Sequence, residues 1–179
     1  MRWVLFAVAL YIVVVLQTAV TPLLSLHAVR PDLTALLAIH IALAGPAVDA
    51  VLAAWIIGLA VDLNGAAFGS HANVGANALA YSLTALLILR LRSVFFRDHA
   101  STYFFLALVG TFSIQTVTTL HMLYVTDQMS RLAEGLMVSA YTAIFTAAVS
   151  PYAFWVLRRA RNVLGFGPVR TLRVGRRSI

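Results

Sequence analysis

The chain has 179 residues, 61% hydrophobic and only 11% charged, with a mean hydropathy of +0.91, which leaves too little polar surface to coat a soluble globule of this size. Its formal charge of +7 rests on 13 basic residues, all arginine, and seven of them crowd into the last 22 positions, a distribution that suits membrane topology rather than a nucleic-acid face. Cysteine is absent, which excludes disulfides, thiol nucleophiles and cysteine metal sites.

Residues 3–26 form a long apolar stretch after Arg2, broken by Gln17, Thr18 and Thr21 with Pro22 near its end, and ample for the roughly 20 residues that cross a bilayer. The apolar segments continue almost to the C-terminus instead of giving way to a soluble region, so this first segment is expected to be retained rather than cleaved as a signal peptide. A turn with His27, Arg30 and Pro31 leads to residues 33–44, an apolar run of 12 residues. As a helix that run measures about 18 Å, against a hydrocarbon core of about 30 Å. Gly45 and Pro46 interrupt it, Asp49 follows, and residues 50–61 form a second short apolar piece around Trp55. The two pieces are expected either to cross a thinned region or to form a re-entrant hairpin.

Polar and small residues then concentrate in residues 58–81, where Asp62, Asn64, Ser70, His71, Asn73 and Asn77 are interspersed with Gly58, Gly65, Gly69 and Gly75. The glycines let a backbone turn or approach another helix closely. Asp62 is the foremost candidate for a functional side chain, because a charge inside lipid is costly. Three roles are open to it: a carboxylate that orders the loop amides around Asn64 and Gly65 or pairs with His71, a contact to a ligand or partner, or a proton relay.

Residues 79–91, with a start as early as Val74 also open, read as a further span that reaches a loop with Arg90, Arg92, Arg97 and Asp98. Residues 103–125 form another, with Thr111, Ser113, Gln115, Thr116, Thr118, Thr119 and His121 loading its second half; such groups hold helices together or line a substrate path. A hydrophilic turn precedes the last span, residues 135–157, in which Pro151 is tolerated where neighbouring groups satisfy the freed carbonyl. With the N-terminus inside and six crossings, 11 arginines fall on the cytoplasmic side and only Arg30 and Arg131 outside. The organisation expected is one helical domain, residues 1–160, and a basic cytoplasmic tail, residues 161–179, which locks topology or meets anionic lipid.

No catalytic constellation assembles. No two of His27, His40, His71, His99 and His121 fall four residues apart on a helix, as a zinc-protease motif requires. Ser70 and His71 are adjacent, where their side chains diverge, and neither a phosphate-cradling loop nor an aspartate cluster for magnesium is present. No cofactor or metal is expected.

Several pieces in order resemble the bacterial rod shape-determining protein MreD family. They are Arg30-Pro31-Asp32 opening a short apolar segment, the Gly45-Pro46 break, Gly58 through Asp62 with Gly65 and Gly69, and a final span carrying Pro151, Tyr152 and Trp155 before Arg158, Arg159 and Arg161. The resemblance implies an all-α polytopic inner-membrane protein of about six helices, arranged like the substrate-binding subunits of energy-coupling-factor transporters. It implies no catalysis but binding to MreC, and through it a link between MreB filaments and the peptidoglycan synthases of the elongation machinery. Membrane lipid is a further expected contact, a homodimer is left open by the sequence, and nucleic acid is not expected. The alternative is a vitamin-transporter subunit holding a small ligand near His71, Asn73 and Asn77. The small-residue docking pattern of such subunits is missing from the first helix, where Ala7 is followed at four residues by Tyr11 and Ala9 by Val13.

Overall fold

The computed structural model describes residues 3–19, 29–67, 75–92 and 100–159. Most of those residues are helical: α1 (Trp3–Ala19), α2 (Leu33–Ala44), α3 (Ala47–Ala67), α4 (Ala76–Leu91), α5 (Ala100–Val125) and α6 (Leu132–Arg159), with a 3-10 turn at Met129–Arg131. Three of them, α3, α5 and α6, are long and apolar enough to cross a membrane, whereas α1, α2 and α4 are shorter apolar helices.

The short helix α2 is the centre of the bundle. Ten of its 12 residues are buried, so it is apolar around its whole circumference and packs against each of the other five helices. Leu36, Leu37, Ile39 and Ile41 fill the core together with Ile57 of α3, Ile88 of α4, Leu106 and Ile114 of α5 and Phe154 of α6. His40 joins them, stacked on Phe154 at 5.7 Å between ring centres. By contrast α1 lies at the periphery, with Phe6 its one buried residue.

Local chemistry sets both ends of α2. Asp32 caps its start by accepting the Ala35 backbone N–H at 2.8 Å. At the other end the Gly45 N–H closes onto the Ile41 carbonyl at 2.8 Å, and Pro46 cannot continue the ladder. The last carbonyls are held from α4's end, where Arg92 Nη1 donates to Ala42 O at 3.1 Å and to Gly45 O at 2.9 Å, a cation placed on the negative end of the helix dipole.

The second short piece expected at residues 50–61 is a full-length helix instead. α3 runs 21 residues without a break, beginning directly after Pro46, where a missing N–H costs nothing. Asp62, Asn64 and Gly65 stay helical within it because the polar demand of Asp62 is met by the next helix rather than by a turn of its own.

Candidate functional site

Two buried carboxylates organise the polar interior, and they do different work. Asp62 on α3 is 3% exposed and accepts four hydrogen bonds from the first turn of α4: Gly75 N at 3.0 Å, Asn77 N at 3.3 Å, Asn77 Nδ2 at 2.9 Å and Ala78 N at 3.1 Å. The reason lies in Gly75. It takes φ +93°, a left-handed conformation that suits glycine, and as N-cap residue it brings no side chain to satisfy the orphan amides of α4. The carboxylate of α3 supplies what the cap lacks.

Gly58, one turn earlier on the same face, makes that reach feasible. A Cβ on Gly58 would lie 2.5 Å from Asn77 O, 2.6 Å from Ala78 Cα and 2.7 Å from Ala78 N, so α3 and α4 are in backbone contact there. Gly58 and Asp62 therefore form one device, a notch and a clamp four residues apart on the surface that grips the start of α4.

The second carboxylate, Asp32, is 7% exposed and lies at the deep end of the short helix. Because α2 is only about 18 Å long, its N-terminus falls beside the body of α3 rather than at the end of the bundle. Asp32 Oδ1 accepts from Ala35 N at 2.8 Å, Thr34 Oγ1 at 2.7 Å and Tyr81 OH at 3.3 Å. Its Oδ2 accepts from Gln115 Nε2 at 3.2 Å and lies 3.4 Å from Tyr81 OH. The backbone N–H of Asp32 donates to Thr146 Oγ1 on α6 at 3.0 Å. Gln17 of α1 completes the ring, accepting from Leu33 N at 2.8 Å and donating to Pro31 O at 3.2 Å. Groups from α2, α4 and α5 thus bond the buried carboxylate itself, while Gln17 of α1 and Thr146 of α6 hold the backbone on either side of it. Beside it is a cavity of about 210 Å³ lined by Val14, Gln17, Asp32, Thr34, Val61, Asn64, Asn77, Tyr81 and Gln115.

A family model described as rod shape-determining protein MreD matches residues 1–158. The chain belongs to the MreD family. Searches of curated proteins and of solved structures found no match. Membership makes this a membrane protein of the rod-shape machinery, a shape-determining structural component rather than a known enzyme family.

The MreD-family motif residues separate into distinct roles. Pro31, Asp32, Gly58 and Asp62 are buried, and the last three hold helices together as described. Arg30 is exposed just outside α2. Gly65 is neither a turn nor a close approach, since a Cβ there would meet nothing within 4 Å. Gly69 lies outside the described residues, as do Ser70, His71 and Asn73 and the arginine tail beyond residue 160. Asp62 orders the amides of residues 75–78, not those around Asn64 and Gly65. Pro151 sits inside α6, and the carbonyl it leaves without its N–H, that of Ala147, accepts from Ser150 Oγ at 2.8 Å.

Of the polar load on α5, Gln115 reaches the central carboxylate and Thr119 meets Ser139 of α6 at 3.1 Å, while Thr118 bonds back to its own helix at Ile114 O and Gln115 O. Sequence reasoning gave Asp62 the first rank and missed the larger assembly at Asp32, together with the parts played by Tyr81 and Gln17. A signal was available in the Asp-Leu-Thr opening of a 12-residue apolar run: an N-cap pattern on a helix too short for its start to reach the surface.

Proposed function

We propose that this protein is a non-catalytic scaffold of the inner-membrane cell-elongation machinery that binds MreC and so helps couple MreB filaments to peptidoglycan synthesis. The observation that carries the reading is the match of the MreD family model to residues 1–158. The physical design supports it. Asp32, Asp62, Gln17, Gln115 and Thr146 are engaged in joining helices, which leaves outer faces of apolar side chains such as Val4, Val8, Tyr11 and Ile12 on α1. Association inside a bilayer draws on close packing of such faces.

In this reading both termini are cytoplasmic, and residues 161–179 form a basic tail at the membrane surface. Arg90 and Arg92 end α4 at the same end of the bundle as the α2–α3 junction, which Arg92 caps, so the charge bias and the helix order favour one sidedness. The alternative of a vitamin-transporter subunit draws on Asn77, which does line the central cavity. That cavity, about 210 Å³, is smaller than the roughly 300–1,000 Å³ of sites that enclose drug-sized ligands, and this favours the scaffold reading.

The test is purification from native membranes in mild detergent after crosslinking, with mass spectrometry of bound proteins and small molecules. Stoichiometric recovery of MreC supports the scaffold. Recovery of a vitamin with a transporter's membrane and ATPase subunits, and no MreC, would replace it with an uptake role.

A further inference from the structure

We infer that the cavity beside Asp32 is a binding site for a primary ammonium group, carried by a small free amine or by an aminolipid headgroup. The inference rests on charge, on unused acceptors and on size, and it does not depend on which protein partner the chain binds.

Asp32 is the one carboxylate among the nine described residues that line the cavity, and among the described residues no arginine or histidine lines it and no ion pair to Asp32 is present. A buried carboxylate in a membrane protein calls for a counter-charge, and neutral hydrogen bonds meet that need only in part. Its two oxygens are unequally served. Oδ1 holds the short contacts, 2.7 Å to Thr34 Oγ1 and 2.8 Å to Ala35 N, whereas Oδ2 has only the longer ones, 3.2 Å to Gln115 Nε2 and 3.4 Å to Tyr81 OH. Oδ2 is therefore the oxygen with acceptor capacity left.

The amides around it point to the same chemistry. Gln115 spends an amide N–H on Asp32, and Asn77 spends one on Asp62, which leaves the carbonyl oxygens of both lining side chains as acceptors. Asn64 is a further amide among the lining residues. An ammonium presents three donors and one positive charge, and it needs an anionic oxygen plus two neutral ones. A cavity of about 210 Å³ corresponds to about seven waters at roughly 30 Å³ each, enough for an ammonium with a short carbon stem beside Val14 and Val61. A bare alkali ion would leave most of that volume unused, and a quaternary ammonium has no N–H to offer the carbonyls.

The experiment uses the full chain in a nonionic detergent, titrated with ethylammonium chloride against tetramethylammonium chloride and sodium chloride, read by thermal unfolding. A parallel arm purifies the protein from nanodiscs of phosphatidylethanolamine with phosphatidylglycerol and from nanodiscs of phosphatidylglycerol alone, read by native mass spectrometry. A saturable rise in melting temperature with ethylammonium only is the expected result for a free amine. Stoichiometric retention of phosphatidylethanolamine is the expected result for a headgroup. Asp32→Asn should weaken either response about tenfold or more, as loss of a charge-assisted hydrogen bond does. Where that variant fails to fold, Asn64→Leu carries the test, because Asn64 makes none of the bonds that hold α2 and its replacement crowds the cavity; it should also weaken the response. Equal shifts with all three salts together with no retained aminolipid, or an undiminished response in Asn64→Leu, overturn the inference.

Discussion

Replacing Gly58 with alanine should uncouple α3 from α4. The added Cβ would lie 2.5 Å from Asn77 O and 2.6 Å from Ala78 Cα, both backbone atoms of a buried helix start that cannot rotate aside. Restoring a contact of about 3.5 Å requires the helices to part by about 1 Å. The bonds that Asp62 makes to α4, now 2.9 to 3.3 Å, would then stretch to about 4 Å and leave hydrogen-bonding range. Overpacking of this kind costs about 1–3 kcal/mol, and weakening the bonds to a buried carboxylate raises the total to about 3–5 kcal/mol. For a chain of this length that corresponds to a fall of about 10 °C in melting temperature. The assay is thermal unfolding of the purified protein in detergent, run as a double-mutant cycle with Asp62→Asn. The single Asp62→Asn change should destabilise the native background strongly and the Gly58→Ala background weakly, because the first substitution has already released the clamp. A Gly58→Ala protein that melts with the native one, or two strictly additive effects, would refute the notch-and-clamp account.

Other perturbations follow from single contacts. Ser150→Ala removes the hydroxyl bonded to Ala147 O and should cost about 1 kcal/mol, while Pro151→Ala in the same chain returns an N–H to that carbonyl and should restore the melting temperature. Arg92→Met strips the cationic cap from the end of α2 and should lower stability by about 1–2 kcal/mol, with a corresponding drop in melting temperature. Gln17→Ala frees α1 from the start of α2, so hydrogen exchange should accelerate in α1 before any other helix; uniform exchange across the bundle would contradict its peripheral attachment.

Helix positions were legible in the sequence wherever hydrophobicity alone decides them. Expected spans at residues 79–91, 103–125 and 135–157 correspond to α4, α5 and α6, each of which starts three residues earlier than hydropathy placed it, while α4 and α5 end where expected and α6 runs two residues further. The short length of α2 was equally plain, since Asp32 and Gly45-Pro46 bracket it. What the sequence hid was distance. Asp62 finds its partners 13 to 16 residues on, and Asp32 finds Tyr81, Gln115 and Thr146 at separations of 49, 83 and 114 residues, which no local pattern announces. Gly58 and Gly65 look alike in the chain, yet one carries a backbone contact and the other faces open space. Seven residues apart, the two share nearly one face of α3, and the difference is their height along it: Gly58 lies level with the start of α4 and Gly65 two turns beyond that contact.

The burial of α2 on every side also bears on the order of assembly. A 12-residue helix of about 18 Å has no stable transmembrane state by itself, so it enters the bilayer with α3 as a pair joined at Gly45-Pro46. Gln115 and Thr146 follow Asp32 by 83 and 114 residues, so these partners reach the membrane after α2 does. Closure of the ring around Asp32 therefore requires α6, and a chain that ends before Thr146 leaves the Asp32 backbone N–H without that partner.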